Sequence, residues 1–397
     1  MAAMPSRPST PAWLVAVHGS STTLSPARDV VVAFDLEGRP TSLFTAGSTY
    51  KRSLASDVYG RRSEGGVRRR WRVAAEQAQA LLAEALEVAA AARAALERGD
   101  SIVAPEQAAT LAERLERITS WTPATLLAER QRFLAAYAPI SILPPDQYGA
   151  VVLQATFGCS WNRCTYCTFY QDRPFQVRPL PAFEAHLRAV HRLLGRAVAG
   201  RRSVFLADGN ALVLSNERLR PVFAAARDAF PERPLAGFVD VFSGERKPLS
   251  AWRELRAAGL ERVAIGVETG HDPLLAYLNK PGSADEASAF VRLLKEAGLA
   301  VSVILMAGVG GRRFAAEHVR DSASLLARLP LDERDLVYVS PFGRHGDSAY
   351  ARRAEADGLE DLSERERNEQ EGALRQAART AVPAASVARY HIDEFVY

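Results

Sequence analysis

Cysteine is scarce in this chain: three occur in 397 residues. An odd count in a long chain argues against a disulfide framework, which uses an even number in a short secreted sequence. Long apolar runs are lacking too. No stretch approaches the ~18–20 residues that a membrane span needs, and Trp13-Leu-Val-Ala-Val17 is too short for a signal-peptide core. Lysine is nearly absent, occurring only at Lys51, Lys247, Lys280 and Lys295, so the net charge of +4 rests on arginine. Arginine in place of lysine, with abundant alanine, reads as coding bias rather than as nucleic-acid binding. What remains, 48% hydrophobic and 24% charged, is enough to bury a large core in one large domain with appendages or in two domains. Sparse cysteines suit a reducing compartment, so the expected location is the cytoplasm, with no membrane partner.

The three cysteines fall within nine positions, Cys159-Ser-Trp-Asn-Arg-Cys164-Thr-Tyr-Cys167, directly after the apolar run at 150–156. Inert buried thiols would be scattered. A structural zinc site would need a histidine or carboxylate as fourth ligand, and no second C-x2-C or H-x3-H half lies nearby. A redox C-x-x-C pair would leave Cys159 unexplained. Three thiolates on one loop can instead hold three irons of a cubane iron–sulfur cluster and leave the fourth iron open.

Residues 1–146 read as an N-terminal hairpin-plus-helix domain behind a Pro/Ser-rich, disordered start. Runs at 30–36 and 41–45 flank Glu37-Gly-Arg-Pro40 in a hairpin pattern. Helical spacing follows at 73–98, and Pro105 and Pro123 each open a further helix. The basic stretch Arg61, Arg62, Arg68, Arg69, Arg70 and Arg72 reads as a solvated face or a salt-bridged helix start. Nucleic acid is therefore not an expected partner.

From 147 to 345 the pattern becomes strand, loop, helix, repeated. Apolar β-rich runs at 150–156, 203–207, 236–242, 262–267, 300–307 and 336–340 alternate with helical patterns at 180–198, 215–228, 248–258, 284–297 and 315–328. This is an α/β architecture with a parallel sheet, a partial (βα)6 TIM-like barrel whose chemistry lies at the carboxyl ends of the strands. Residues 346–397 read as a short C-terminal extension with a charged helix at 362–378. Its last ten residues dock as a strand or cap, making His391 and Asp393 candidates to face a substrate.

Four features in this order resemble the radical S-adenosylmethionine superfamily: the cysteine loop after strand one, Asp208-Gly-Asn-Ala-Leu212 after strand two, Ile265-Gly-Val-Glu-Thr-Gly270 after strand four and Leu305-Met-Ala-Gly-Val-Gly-Gly311 after strand five. The pattern is most similar to the branch holding the elongator catalytic subunit, the methylthiotransferases and the oxygen-independent coproporphyrinogen oxidases. The resemblance implies that Cys159, Cys164 and Cys167 ligate a [4Fe-4S] cluster whose open iron S-adenosylmethionine chelates. It puts Tyr166 near the adenine and Asn210 where the family has a glutamate for the methionyl ammonium, with Asp208 as the nearby negative charge. Glu268 would bind the ribose hydroxyls or the methionyl group, and Gly308 and Gly310 would let the backbone approach the adenosine.

It further implies a reductant such as flavodoxin or ferredoxin. Cleavage of the cofactor would give a 5′-deoxyadenosyl radical that acts on an unidentified small-molecule or peptide substrate. Two departures stand out: the loop reads C-x4-C-x2-C where C-x3-C-x2-C is usual, and position 210 is asparagine. Arg163 reads as a loop anchor, and Lys280 and His271 as solvated. The rivals are an iron–sulfur or electron-transfer protein without cofactor turnover and an RNA-modifying enzyme of the same chemistry.

Overall fold

The structure, a computed structural model, describes residues 13–27, 29–65, 67–346, 348–390 and 397. The Pro/Ser-rich start, His391 and Asp393 lie outside the described residues. The chain forms two units. One holds the described residues up to Tyr137, with Ala189–Arg201 and Tyr397; the other holds Ala138–Arg188 and the described residues from Arg202 to Tyr390.

The first unit is an antiparallel meander of seven strands, Leu14–Val17, Ser21–Ala27, Val30–Asp35, Pro40–Thr45, Ser48–Arg52, Val58–Glu64 and Val67–Arg72, each paired with the next. Its core forms where alternate residues Leu24, Val32, Phe34, Leu43 and Val58 face the small-residue stripe Ala78, Ala85, Ala89 and Ala92 of the helix Ala75–Glu97, and Leu111, Leu115 and Ile118 of Pro105–Thr119. The expected hairpin is thus the middle of a larger sheet. The basic stretch forms its last two strands and not a helix start, with Arg61 opposite Arg70 and Arg62 opposite Arg69. Those strands carry polar, arginine-rich sequence, which a helix-minded reading of charge patterns mistakes. Arg62 pairs with Glu64, Arg72 with Asp57, and Arg70 lies over the Tyr59 ring at 4.5 Å.

The second unit is a parallel sheet in sequential order: Val151–Gln154, Val204–Ala207, Leu235–Phe238, Leu260–Glu268, Ala300–Ala307, Leu336–Pro341 and finally Ser386–Arg389. The helices Leu180–Leu194, Asn216–Ala229, Leu249–Ala257, Ala284–Glu296 and Gly311–Leu326 lie between the first six strands. Continuous burial along Val151–Gln154, Val204–Ala207 and Ala300–Ala307 is what two covered faces require. The sheet stays open, as a partial barrel does. One expectation needs correction. The third strand ends at Phe238 rather than 242, because Asp240 caps a short helix, Val241–Gly244. Beyond the sixth strand, Ser386–Arg389 adds a seventh strand, and Gln370 of the helix Glu364–Ala381 accepts the Gly308 N–H and donates to the Ala315 carbonyl. No helix among the described residues is long and apolar enough to cross a membrane.

Arg39 organises the first unit from within. Only 2% exposed, it binds Asp35 and Glu129 at 2.9 Å each and donates to the Leu193 and Leu194 carbonyls. Replacing it by methionine leaves the buried Glu129 with Arg132 alone and takes the donors from the Leu193 and Leu194 carbonyls, so Arg39→Met is expected to destabilise this unit by about 3 kcal/mol. Urea denaturation of the full chain, followed by hydrogen exchange in Val30–Asp35 and Ala75–Glu97, checks this.

Candidate functional site

The loops that leave the carboxyl ends of the parallel strands surround a cavity of ≈ 960 Å³, its mouth included. Cys159, Cys164 and Cys167 line it together, with Tyr166 and Tyr170 from the same loop, Asp240 and Glu268 from the ends of later strands, and Lys280 from the turn after the helix Asp272–Tyr277. Phe238, Phe242, Ile304 and Met306 supply apolar wall. Trp161 packs edge-on against Phe242, ring centres 5.5 Å apart, and the Arg163 guanidinium lies over the Trp161 ring.

Burial sets the protonation of the thiols. It pushes Cys164 up to about 11 and Cys167 to about 12, so both are neutral thiols at physiological pH until something exchanges for their protons. Among the described residues no three of His, Cys, Asp or Glu gather round one point as a single-ion site requires. A cubane cluster makes a different demand, spreading its three thiolates over three separate irons. The donor set fits that cluster better than zinc.

Glu268 is the most constrained acid in the cavity. It follows a bulge in the fourth strand, adopts a left-handed backbone (φ +66°), and folds its side chain back over Gly266. A Cβ at Gly266 would come within 2.3 Å of Glu268 Oε1, which explains the glycine. Oε1 accepts the Tyr166 hydroxyl at 2.9 Å and pairs with Lys280 Nζ at 3.4 Å. Burial and the neighbouring carboxylate hold the Tyr166 hydroxyl well above its ordinary pKa. Lys280, expected to be solvated, is 11% exposed; burial opposes its charge, and the neighbouring Glu268 carboxylate favours it.

The second-strand turn departs from expectation. Gly209 lines the cavity, but Asp208 and Asn210 do not. Asp208 is 2% exposed, and its Oδ2 accepts the Gly158 N–H at 3.3 Å and Arg173 Nε–H at 3.2 Å. Burial raises its pKa to about 6 against the pull of Arg173. Asn210, fully buried, donates to Ser160 Oγ at 2.7 Å and to the Asp240 carboxylate, and accepts the Asp240 N–H at 3.2 Å. The carboxylate that faces the cavity here is Asp240. Sequence reasoning missed it by running the third strand through it, although aspartate is among the residues favoured at a helix N-cap.

Gly308 and Gly310 do not line the cavity either. Protein fills the space beside them: a Cβ at Gly308 would lie 2.9 Å from Arg367, and one at Gly310 2.7 Å from Leu274. Their N–H groups go to Gln370 Oε1 and the Tyr350 hydroxyl. His271, also outside the cavity wall, binds Asp321 at 2.7 Å.

The cavity lies in the region that the comparisons with known proteins cover. Residues 153–325 match the family model described as the Radical SAM superfamily. Over 180 residues the chain is 31% identical to a protein of Mycobacterium tuberculosis named heme chaperone HemW, covering 42% of this chain and 44% of that protein. Over 217 residues it is 24% identical to the 4'-phospho-dehydrooxetanocin synthase of Priestia megaterium, covering 48% and 28%. The chain thus spans less than half the length of these curated relatives. Coproporphyrinogen III oxidase (HemN) from Escherichia coli superposes with a TM-score of 0.44 at 18% identity, over 63% of this chain and 55% of that one.

Behind Glu268, the fully buried His318 ties the strand ends together. Nε2 faces the Met306 carbonyl at 2.7 Å and must carry the proton, leaving Nδ1 to accept the Thr269 hydroxyl at 2.7 Å. Burial lowers its pKa from 6.5 to about 4. Between those values the unfolded chain binds a proton that the folded one refuses, so stability falls as pH drops through this window, by about 3 kcal/mol in full. In denaturation at pH 7 and pH 4.5 the loss should be smaller for His318→Gln than for the unsubstituted chain; equal losses would assign it elsewhere.

Proposed function

Since residues 153–325 make this chain a radical S-adenosylmethionine superfamily protein, whose cofactors are a [4Fe-4S] cluster and S-adenosylmethionine, we propose that it is an enzyme that cleaves this cofactor reductively. Its substrate would be a small molecule or peptide. One observation carries the reading: the only three cysteines of the chain line one cavity, with a carboxylate, an ammonium and a carboxylate–phenol pair beside them.

When bound, the two cofactors supply one-electron cleavage of a carbon–sulfur bond and hydrogen abstraction from an unactivated carbon. The residues divide the remaining work. Cys159, Cys164 and Cys167 would give up their protons to hold iron. Asp240, whose partners within the fold are neutral amides and hydroxyls, offers its charge to an ammonium. Lys280 offers donors to a carboxylate, and Glu268, already fixed by Tyr166, offers an acceptor to hydroxyls. Phe238, Phe242, Ile304 and Met306 would exclude water. A flavodoxin or ferredoxin would deliver the electron, and the cytoplasm remains the location we favour.

The curated relative's name, a heme chaperone, supports a second reading in which the cofactors are held for a binding role without turnover. The two readings part on product formation.

Anaerobic reconstitution should give about four irons and four sulfides per chain, lost on replacing any of the three cysteines by alanine. One tightly held zinc and no iron uptake would overturn the assignment. The reduced protein should release 5′-deoxyadenosine from S-adenosylmethionine; none under any reducing condition favours the binding role.

Asp240→Asn and Lys280→Met should each weaken S-adenosylmethionine binding by about 10- to 100-fold, the range for a hydrogen bond to a charged group, with iron content unchanged. Unaltered affinity in both, measured by equilibrium dialysis, would remove these residues from the cofactor site.

A further inference from the structure

The cysteine loop is closed at its base. Thr156–Phe157 pairs antiparallel with Gln176–Val177, so the two ends of the loop run side by side. The closure is tight: Gly158 has φ +69°, and a Cβ there would lie 2.9 Å from the Pro174 carbonyl oxygen. Just inside this stem a single oxygen, Asp208 Oδ2, takes a donor from each end of the loop, the Gly158 N–H on entry and Arg173 Nε–H on exit. The turn carrying Asp208 is itself tied to the entry: the Asp208 N–H donates to Thr156 Oγ1 at 3.1 Å and the Gly209 N–H to the Gly158 carbonyl at 3.2 Å. On the exit side, Arg173 Nη2 reaches the Pro139 carbonyl and Ser141 Oγ, Nη1 pairs with Asp172, and Ser141 donates to the Phe169 carbonyl within the loop.

We propose that Asp208 is a positioning residue for the cluster: with Arg173 it forms a clasp that fixes both ends of the cysteine loop and so sets the spacing of Cys159, Cys164 and Cys167 before iron arrives. Its purpose rests on the function proposed above; its geometry does not. The Asp208 Oδ2 that holds both ends of the loop belongs to a carboxylate 2% exposed that does not line the cavity. Pinning a loop at two points removes the freedom that would otherwise be lost when three separated thiols converge on one cluster.

The test uses the full chain without iron, as Asp208→Asn, Arg173→Met, the double variant and Arg173→Lys. Hydrogen exchange at residues 158–173 and the reaction rate of the three thiols with a maleimide are the readouts. Each of the first two substitutions should raise both by about tenfold, and the double variant no further, because the pair acts as one unit. Arg173→Lys, which keeps a cation, should recover most of the protection. Reconstituted Asp208→Asn should show shifted electron-paramagnetic-resonance lines of the reduced cluster with S-adenosylmethionine affinity intact. Unchanged exchange and thiol rates in Asp208→Asn and Arg173→Met, or strictly additive effects, would overturn the clasp. Lost cofactor affinity with an unaltered loop would make Asp208 a ligand instead. Should Asp208→Asn fail to fold, Arg173→Met carries the same test from the loop side. Failure of the unsubstituted chain to take up iron would strike the proposed function and leave the exchange results standing.

Discussion

Three carboxylates stand where the parallel strands of the second unit end, and the company each keeps decides what the cavity can do. A carboxylate taken out of water must be matched by a cation, by several hydrogen-bond donors, or by a proton. Asp208 is matched by Arg173 and a backbone N–H, and its charge is consumed. Glu268 is matched by Lys280 and Tyr166, a pairing that leaves donors and acceptors at the cavity surface while holding both charges in place. Asp240 has only neutral donors, from Asn210 and Ser243. Of the three, it is the one held within hydrogen-bond distance by neutral groups alone, with the Lys280 ammonium near enough to feel its charge. The site therefore has one acid tied to an arginine, one member of an ion pair, and one acid held by neutral donors.

This arrangement depends on strand direction. In a sequentially ordered parallel sheet every strand delivers its following loop to the same end, so residues from 159 to 340 meet without a long-range crossover. Local backbone features then aim the side chains. The bulge at Glu268 turns an acid out of a strand whose neighbours are buried, and the short helix capped by Asp240 stops the third strand early enough to expose it. Both devices are stiff. His318 reinforces the first by joining Thr269 to the Met306 carbonyl across the neighbouring strand.

How much of this was legible in the sequence follows the strength of the local signal. Doubly covered strands write themselves as continuous apolar runs, so all six core strands and the helices between them were readable, as was the cysteine loop. The first unit was half readable. Its long alanine-rich helix and proline-started helices carry strong patterns, whereas Ser21–Ala27 is mostly small and polar and Val58–Glu64 ends in exposed, arginine-bearing sequence. Lys280 looked like a surface lysine because nothing local tells of Glu268, which reaches it only through tertiary folding. Gly308 and Gly310 show the converse: glycine announces close approach without naming what approaches, and Arg367 and Leu274 pack beside them. Ser386–Arg389 joined the sheet by pairing with Leu336–Pro341, a partner no local pattern names.

The asparagine at 210, a departure from the family pattern in the sequence, is coupled to the aspartate at 240. Asn210 touches Asp240 through both ends of its amide, donating from Nδ2 to the carboxylate and accepting the Asp240 N–H at Oδ1. A glutamate or aspartate at 210 could still accept that N–H, but it would bring a second negative charge against Asp240 in a buried setting. One of the two acids would then have to hold a proton. Asparagine keeps the acceptor and supplies a donor where the like charge would have stood. Its amide thereby holds the neighbouring carboxylate in place at the cavity wall.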